Sequence, residues 1–424
     1  MSKKVLIISN NVLSTKNNNG KTIFSFFKDK QKSDISQLYF SDESIEIEDI
    51  EYFQINDKMM IKKISKLSTN LIDSKKYDKK IKLETVKSDY YTFLKSQMIK
   101  SDGIRIIREY IWKRNTWYEN ELFEWIKKNN PSSIFFCAGD SGFAYDLVEK
   151  IKLTFNLKLA TFITDDYVLP RQNHNIFSWL RRKYILKKFK RNIMITDQFF
   201  TISPKMKKTY NDLFGIESEL LVNISGSNKS SVSNATLPSN LLYAGGLHYG
   251  RDKILIKLSN AIEAYNNSKG IKNKLSLEIY SHQNVSKSFT KKIKNNTSTS
   301  FLGSIDQNKL QEKLRENIIP VHVESFKKKH IDSTKLSLST KIPEYLSLGK
   351  PILAIGPSNI SSMEYLSSVA YCINKEKNMD SELKTIFLNN NDYEIKIKMA
   401  EKLYEENHNK DKVLKKFNEY FYGM

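Results

Sequence analysis

The feature that most constrains this chain is its alternation of unbroken apolar runs with helix-spaced segments. "KVLIIS", "SIFFCAG", "LKLATFIT", "QFFTIS" and "ELLVNIS" form a first series; "NLLYAGG", "LSLEIYS", "STSFLGS", "NIIPVHVE", "KPILAIG" and "VAYCIN" form a second. Strands that are apolar on both sides belong to parallel sheets covered on both faces, so the fold class is α/β. The Ser/Asn-rich stretch "SGSNKSSVSNATLPSN" (Ser225–Asn240) separates the two series. It divides the chain into residues 1–224 and 225–404, read as two Rossmann-like, doubly wound domains facing a central cleft. In the last segment, from about residue 405 to 424, Val413, Leu414, Phe417 and Tyr420 recur at helical spacing, so it is expected to dock as a helix.

Composition excludes several classes. Of 424 residues, 40% are hydrophobic and 12% aromatic, enough for two real cores and against disorder. Cys137 and Cys372 sit in apolar runs and read as buried thiols rather than a metal site or disulfide framework. The apolar run at the N-terminus is too short for a signal peptide, and no stretch reaches a membrane span. A cytoplasmic protein, at most peripheral on a membrane, is expected. The net charge of +22 favours polyanions, although Lys- and Asn-rich composition inflates it.

The motifs narrow the chemistry. "NNNGKT" lacks the first glycine of a phosphate-binding P-loop, because Thr15 stands there. Gly20, in the loop expected after the first strand, is either a turn glycine or one that admits a ligand to the backbone. GxGxxG, HExxH, cysteine pairs and a strand-end Asp-x-Asp are absent, which weighs against dinucleotide, zinc and carboxylate-held-metal chemistry. Asp165 and Asp166 follow a buried strand, as a cap and turn or as a site. "RQNHNIFSWLRRKYILKKFKRN" (Arg171–Asn192) holds eight Lys or Arg and no acid. With Phe177, Leu180 and Tyr184 on one face, it is a solvated helix face, a surface for anionic membrane, or an RNA contact without its usual signature.

Two stretches of the second half describe a ligand edge. In "LLYAGGLHYGRDKILIKL", a strand ends at Gly245-Gly246, and a loop with His248 and Arg251 opens a helix whose N–H groups and guanidinium suit a diphosphate. In "IIPVHVESF…LSTKIPEYLSLGKPILAIG", Glu324 ends a strand. Ser339 or Thr340 is expected to cap a short helix carrying Lys341 and Glu344 in its first turn. A carboxylate for ribose hydroxyls beside a cationic diphosphate site is what a nucleotide-sugar requires.

On these residues the chain resembles the GT-B glycosyltransferases, closest to the family-4-like retaining enzymes of bacterial polysaccharide synthesis. "LLYAGGL…R" is similar to the family's strand, glycine turn and phosphate-binding basic residue, and "KIPEYLSLGKPILAIG" to its donor-binding helix. "KVLIISNNVLSTKNNNGKT" resembles the first strand and glycine loop. The resemblance implies a metal-independent, retaining transfer from a nucleoside-diphosphate sugar to a glycan or lipid-linked acceptor, without a cofactor. It implies Arg251 and Lys341 at the diphosphate, Glu344 at the ribose, Glu324 at the sugar, and Gly246, His248, Ser339 and Thr340 around the donor. It also implies Gly20 and Lys21 in the loop near acceptor and diphosphate, Asp165 or Asp166 in the catalytic region where the family carries a histidine, and a terminal helix packed back on the first domain. The partners implied are the nucleotide-sugar, the acceptor and an anionic membrane surface met by Arg171–Asn192, with no nucleic acid. Two departures stand out: Gly246 replaces the usual Arg, and Leu336 stands eight positions before Glu344 where the family has its first glutamate. A nucleotide-sugar epimerase of the same fold and a non-catalytic nucleotide-sugar-binding subunit are the competing readings.

Overall fold

A computed structural model describes residues 3–15, 18–64, 102–113, 119–169, 171, 175–224, 237–389 and 391–423. Most of the linker (225–236) and residues 172–174 of the basic segment lie outside the described residues. The chain forms two compact units. The first comprises Met1–Thr201, Tyr210–Glu219 and Phe417–Met424; the second comprises Ile202–Thr209 and Leu220–Lys416.

The first unit is built on β1 (Val5–Ser9), β2 (Ile35–Tyr39), β3 (Glu51–Gln54), β4 (Ser133–Ala138), β5 (Lys158–Ile163), β6 (Gln198–Thr201) and β7 (Ser218–Leu220). Their order in the sheet is β3-β2-β1-β4-β5-β6-β7. The pairs from β3 through β6 are parallel. All five residues of β1 and all six of β4 are buried, as expected for central strands covered on both faces. Phe26 and Phe27, on the helix Asn18–Phe27, pack with Phe135 and Phe162 in an aromatic layer. Phe417 and Phe421, from the C-terminal helix Lys410–Tyr422, complete it, with ring centroids of Phe27 and Phe417 5.1 Å apart.

The second unit holds β8 (Asn240–Ala244), β9 (Ser276–Tyr280), β10 (Thr299–Gly303), β11 (Ile318–Val323), β12 (Ile352–Ile355) and β13 (Ala370–Ile373), in the order β10-β9-β8-β11-β12-β13. Every pair is parallel. The two-residue period of a strand sorts side chains onto two cores: Leu241 and Tyr243 join one, Leu242 and Ala244 the other.

Both sheets reverse direction in the same way. In each, the chain adds two strands on one side of the first (β1 or β8) and then crosses to the other (β4 or β11). The connections leaving β1 and β4, or β8 and β11, therefore run in opposite directions and leave a crevice at the strands' C-terminal ends, where open α/β sheets hold ligands.

Candidate functional site

A pocket opens at each of these crevices. In the second unit it is lined by Tyr243, Ala244, Gly245 and Gly246 from the end of β8, Arg251, and Val321, His322 and Val323 from β11. Ser339, Thr340, Lys341 and Tyr345 close it from the short helix Ile342–Ser347 and the turn before it. Five predicted donor residues, Gly246, Arg251, Ser339, Thr340 and Lys341, are thus brought together. His248 and Glu344 stand at the edge: Glu344 is half-buried in the helix's first turn, outside the lining.

The glycine turn is shaped by Tyr243, whose hydroxyl donates to the Gly246 carbonyl at 2.6 Å. A Cβ on Gly245 would lie 2.9 Å from that hydroxyl, so any side chain there would displace the tyrosine from the turn. His248 Nδ1 meets the Gln283 amide at 2.8 Å. Burial and the nearby Arg251 lower the His248 pKa, so the ring is neutral at pH 7.

Arg251 opens the helix Arg251–Asn266 and turns inward. Its Nε donates to the Val323 carbonyl at 3.0 Å and its Nη2 to Glu324 Oε1 at 2.9 Å. Glu324, expected at the sugar, is instead buried as the partner of Arg251. Desolvation pushes the Glu324 carboxyl up while Arg251 pulls it down; the carboxylate in turn holds the Arg251 guanidinium firmly charged against its own desolvation. The sequence had placed both residues at the ligand edge without pairing them. Strand ends do not show which side chains turn toward each other.

His322 was passed over because it lies mid-strand in "IIPVHV". It is buried, lines the pocket, and its Nε2 has no hydrogen-bond partner; Glu324 Oε1 stands 3.6 Å away. Burial first, and Arg251 second, pull its pKa down to about 3, so it is a neutral imidazole. A lone polar residue in an otherwise apolar strand was the available signal.

Ser339 and Thr340 do not cap the helix as expected. Lys341 occupies the cap position with no side-chain acceptor, and the Ile342 N–H bonds the Ser339 carbonyl at 3.1 Å, a tight turn that leads the chain into the helix. Their hydroxyls are therefore not engaged as helix caps.

In the first unit the pocket is lined by Ser9 at the end of β1, Asn10 and Asn11 after it, Asn19, Phe40, Cys137, and Gly139, Asp140 and Ser141 after β4, with Tyr167 among the others. Asp140 is its charged group. Burial raises its pKa, but Arg181 (2.6 Å) and Arg105 (2.9 Å) outweigh that and hold it ionised. Of these residues only Cys137 was singled out in the sequence, as a buried thiol; for the others, polar residues at the ends of two buried strands were the signal.

The residues expected on this side are placed elsewhere. Gly20 lies inside the helix Asn18–Phe27 and not in a loop, with Lys21 half-buried beside it. A Cβ on Gly20 would stand 2.1 Å from the Val12 carbonyl oxygen, so this glycine lets two backbone segments meet. Asp166 is buried, and its Oδ1 accepts from the N–H groups of Val168 and Leu169 and from the Tyr210 hydroxyl. The cap-and-turn alternative describes it. Asp165 accepts from the Tyr167 hydroxyl at 3.1 Å. Cys137 is buried, its thiol pushed up to about 12 by burial and Asp165, and both cysteines are free thiols. Among the described residues, no three His, Cys, Asp or Glu side chains converge as a metal set.

With this geometry in view, comparison with solved structures decides the architecture. The chain is similar over 99% of its length, and 99% of the other's, to an α,α-trehalose-phosphate synthase (UDP-forming) from Burkholderia xenovorans solved with glucose-6-phosphate (TM-score 0.61, 10% identity). It is similar over 99% of its length and 100% of the other's to TarM from S. aureus solved with UDP and alpha-GlcNAc-glycerol (TM-score 0.59, 11% identity). The same coverage holds for WaaG, a glycosyltransferase involved in lipopolysaccharide biosynthesis (TM-score 0.58, 11% identity). The fold is GT-B. No protein-family model and no curated protein matches the sequence. At these identities the GT-B likeness establishes the fold and leaves the chemistry to the residues.

Proposed function

We propose that the protein is a glycosyltransferase that takes a sugar from a nucleoside-diphosphate donor held in the second unit. The observation that carries this reading is the pocket at the β8/β11 crevice, which gathers Gly246, Arg251, Ser339, Thr340 and Lys341 around one opening. Gly246 offers backbone without a side chain. Arg251 spends Nε and Nη2 on Val323 and Glu324, and Nη1 is the nitrogen a diphosphate oxygen would meet. Lys341 adds a second cation, so the charge that develops on the departing diphosphate is taken up by side chains and no metal is required. Glu344, at the pocket's edge, accepts from the ribose hydroxyls. The neutral, unpartnered Nε2 of His322 provides a hydrogen-bonding position inside the pocket. The acceptor, a glycan or lipid-linked sugar, is bound at the β1/β4 crevice, where Asn10, Asn11, Ser141 and the ionised Asp140 suit hydroxyl groups. The anomeric configuration is retained. TarM and the trehalose-phosphate synthases, named or solved with UDP or sugars, support the substrate class.

The test is a thermal-shift panel of nucleoside diphosphates and nucleotide-sugars, followed by nuclear magnetic resonance of the products. A stabilising nucleotide whose effect is lost in Arg251→Ala and Glu344→Ala supports the assignment. Absence of any shift and of any turnover refutes it. Interconversion of a nucleotide-sugar without acceptor would assign an epimerase instead, and binding without turnover a non-catalytic subunit.

A further inference from the structure

The basic segment does not form the surface its composition suggests. The helix Ile176–Ile195 buries Ser178, Ile185, Phe189 and Asn192 against the first unit. Four of its seven cations are spent internally: Arg181 on Asp140, Arg182 on the Leu169 carbonyl beside Asp166, Lys188 on Asp146, and Arg191 on Glu149. Phe177 and Leu180, two residues of the apolar face read from the sequence, are exposed.

The remaining residues compose a different surface. Ile176, Phe177, Trp179 and Leu180 are 66, 52, 54 and 45% exposed within little more than one helical turn. Ser178 between them is buried. At about 100° per residue, Ile176, Leu180, Lys183, Lys187, Lys190 and Met194 fall in one stripe about 80° wide. All are exposed, and the stripe carries no acid. Lys183 Nζ lies 5.0 Å over the Trp179 ring, so apolar and cationic parts are continuous.

We infer that this outer face docks on an anionic lipid surface. Four large apolar side chains clustered at one end of a helix suit shallow insertion at the headgroup boundary. Three lysines farther along the stripe that Ile176 and Leu180 begin, on flexible stems and engaged by no carboxylate among the described residues, suit the phosphate layer above it. The arrangement selects for negative headgroups because the attraction comes from Lys183, Lys187 and Lys190, while the apolar cluster alone is too small to hold the protein. The inference stands independently of the transfer reading.

The experiment is co-sedimentation of the full chain with vesicles of phosphatidylglycerol or of phosphatidylcholine. Binding to phosphatidylglycerol alone is expected, with a blue shift of tryptophan fluorescence that is lost in Trp179→Phe. The triple variant Lys183→Glu, Lys187→Glu, Lys190→Glu is expected to weaken binding about a hundredfold. The triple variant Phe177→Ser, Trp179→Ser, Leu180→Ser is expected to abolish it. All these positions are exposed, and an unchanged far-UV dichroism melt verifies folding. Failure of the wild type to bind phosphatidylglycerol overturns the inference, as does equal binding by the lysine variant. A concentration-dependent dimer that the serine variant dissolves would overturn it too, assigning the face to a second copy of the chain.

Discussion

Glu324 was expected to read the sugar and is found holding Arg251, which makes the pair the sharpest place to perturb the site. Both groups are withdrawn from water, and their bond is 2.9 Å. Removing one member of a buried ion pair leaves the other uncompensated, at a cost of about 3–5 kcal/mol. In a unit of about two hundred residues, that corresponds to a fall in melting temperature of roughly 10 °C. Arg251→Met and Glu324→Gln are therefore each expected to destabilise the second unit. The double variant should lose less than the sum of the two single losses, with a coupling energy of about 2–3 kcal/mol. The tryptophans among the described residues, Trp112, Trp125 and Trp179, belong to the first unit, so unfolding of the second is best followed by calorimetry and far-UV dichroism. Ligand affinity separates the two readings of Glu324. A carboxylate that neutralises Arg251 weakens its pull on a diphosphate, so Glu324→Gln should bind a nucleoside diphosphate several-fold more tightly while being less stable. Arg251→Met should bind it more than tenfold more weakly, the loss of one charged hydrogen bond. Single-variant effects that add without coupling, or Arg251→Met with undiminished nucleotide affinity, would refute the reasoning.

Two further outcomes are expected. Gly20→Ala places a Cβ against the Val12 carbonyl and should cost the first unit about 1–3 kcal/mol, read as a shift in the tryptophan-monitored denaturant midpoint, with nucleotide affinity in the second unit unchanged. His408 is buried with Nδ1 facing the Asn223 carbonyl and Nε2 facing the Tyr365 hydroxyl, so Nδ1 carries the proton, Nε2 accepts, and burial lowers its pKa to about 4. An imidazole with a depressed pKa contributes stability that is whole above the unfolded value near 6.5 and is lost as pH falls toward 4, up to about 3 kcal/mol. His408→Gln should flatten this acid limb in melts from pH 7 to 4, leaving the part owed to His322; an unchanged acid limb would show that His408 is not its source.

How much of this was legible in the sequence depends on what each inference rested on. The α/β class and the parallel sheets follow from apolar runs such as "KVLIIS" and "NLLYAGG", because burial on both faces favours that pattern; the strand order does not, and β2 ("ISQLY") and β3 ("EYFQ") were not among those runs. Residues delivered by the backbone itself, Gly246 after β8 and Ser339 to Lys341 before a short helix, line one pocket. Side-chain direction was not legible. Arg251 and Glu324 are 73 positions apart, and their bond is a product of how β8 and β11 sit side by side. Phe177 and Leu180 satisfied the spacing of a core face, yet Ser178, Ile185, Phe189 and Asn192 are the ones turned inward. Periodicity identifies a stripe and not its direction. The same ambiguity governs charge. Eight cations without an acid look like one surface, but the acids that engage four of the helix's seven, Asp140, Asp146, Glu149 and Asp166, come from other segments of the first unit. What remains after that subtraction, three lysines beside four exposed apolar side chains, is smaller than the sequence suggested and more specific in what it can bind.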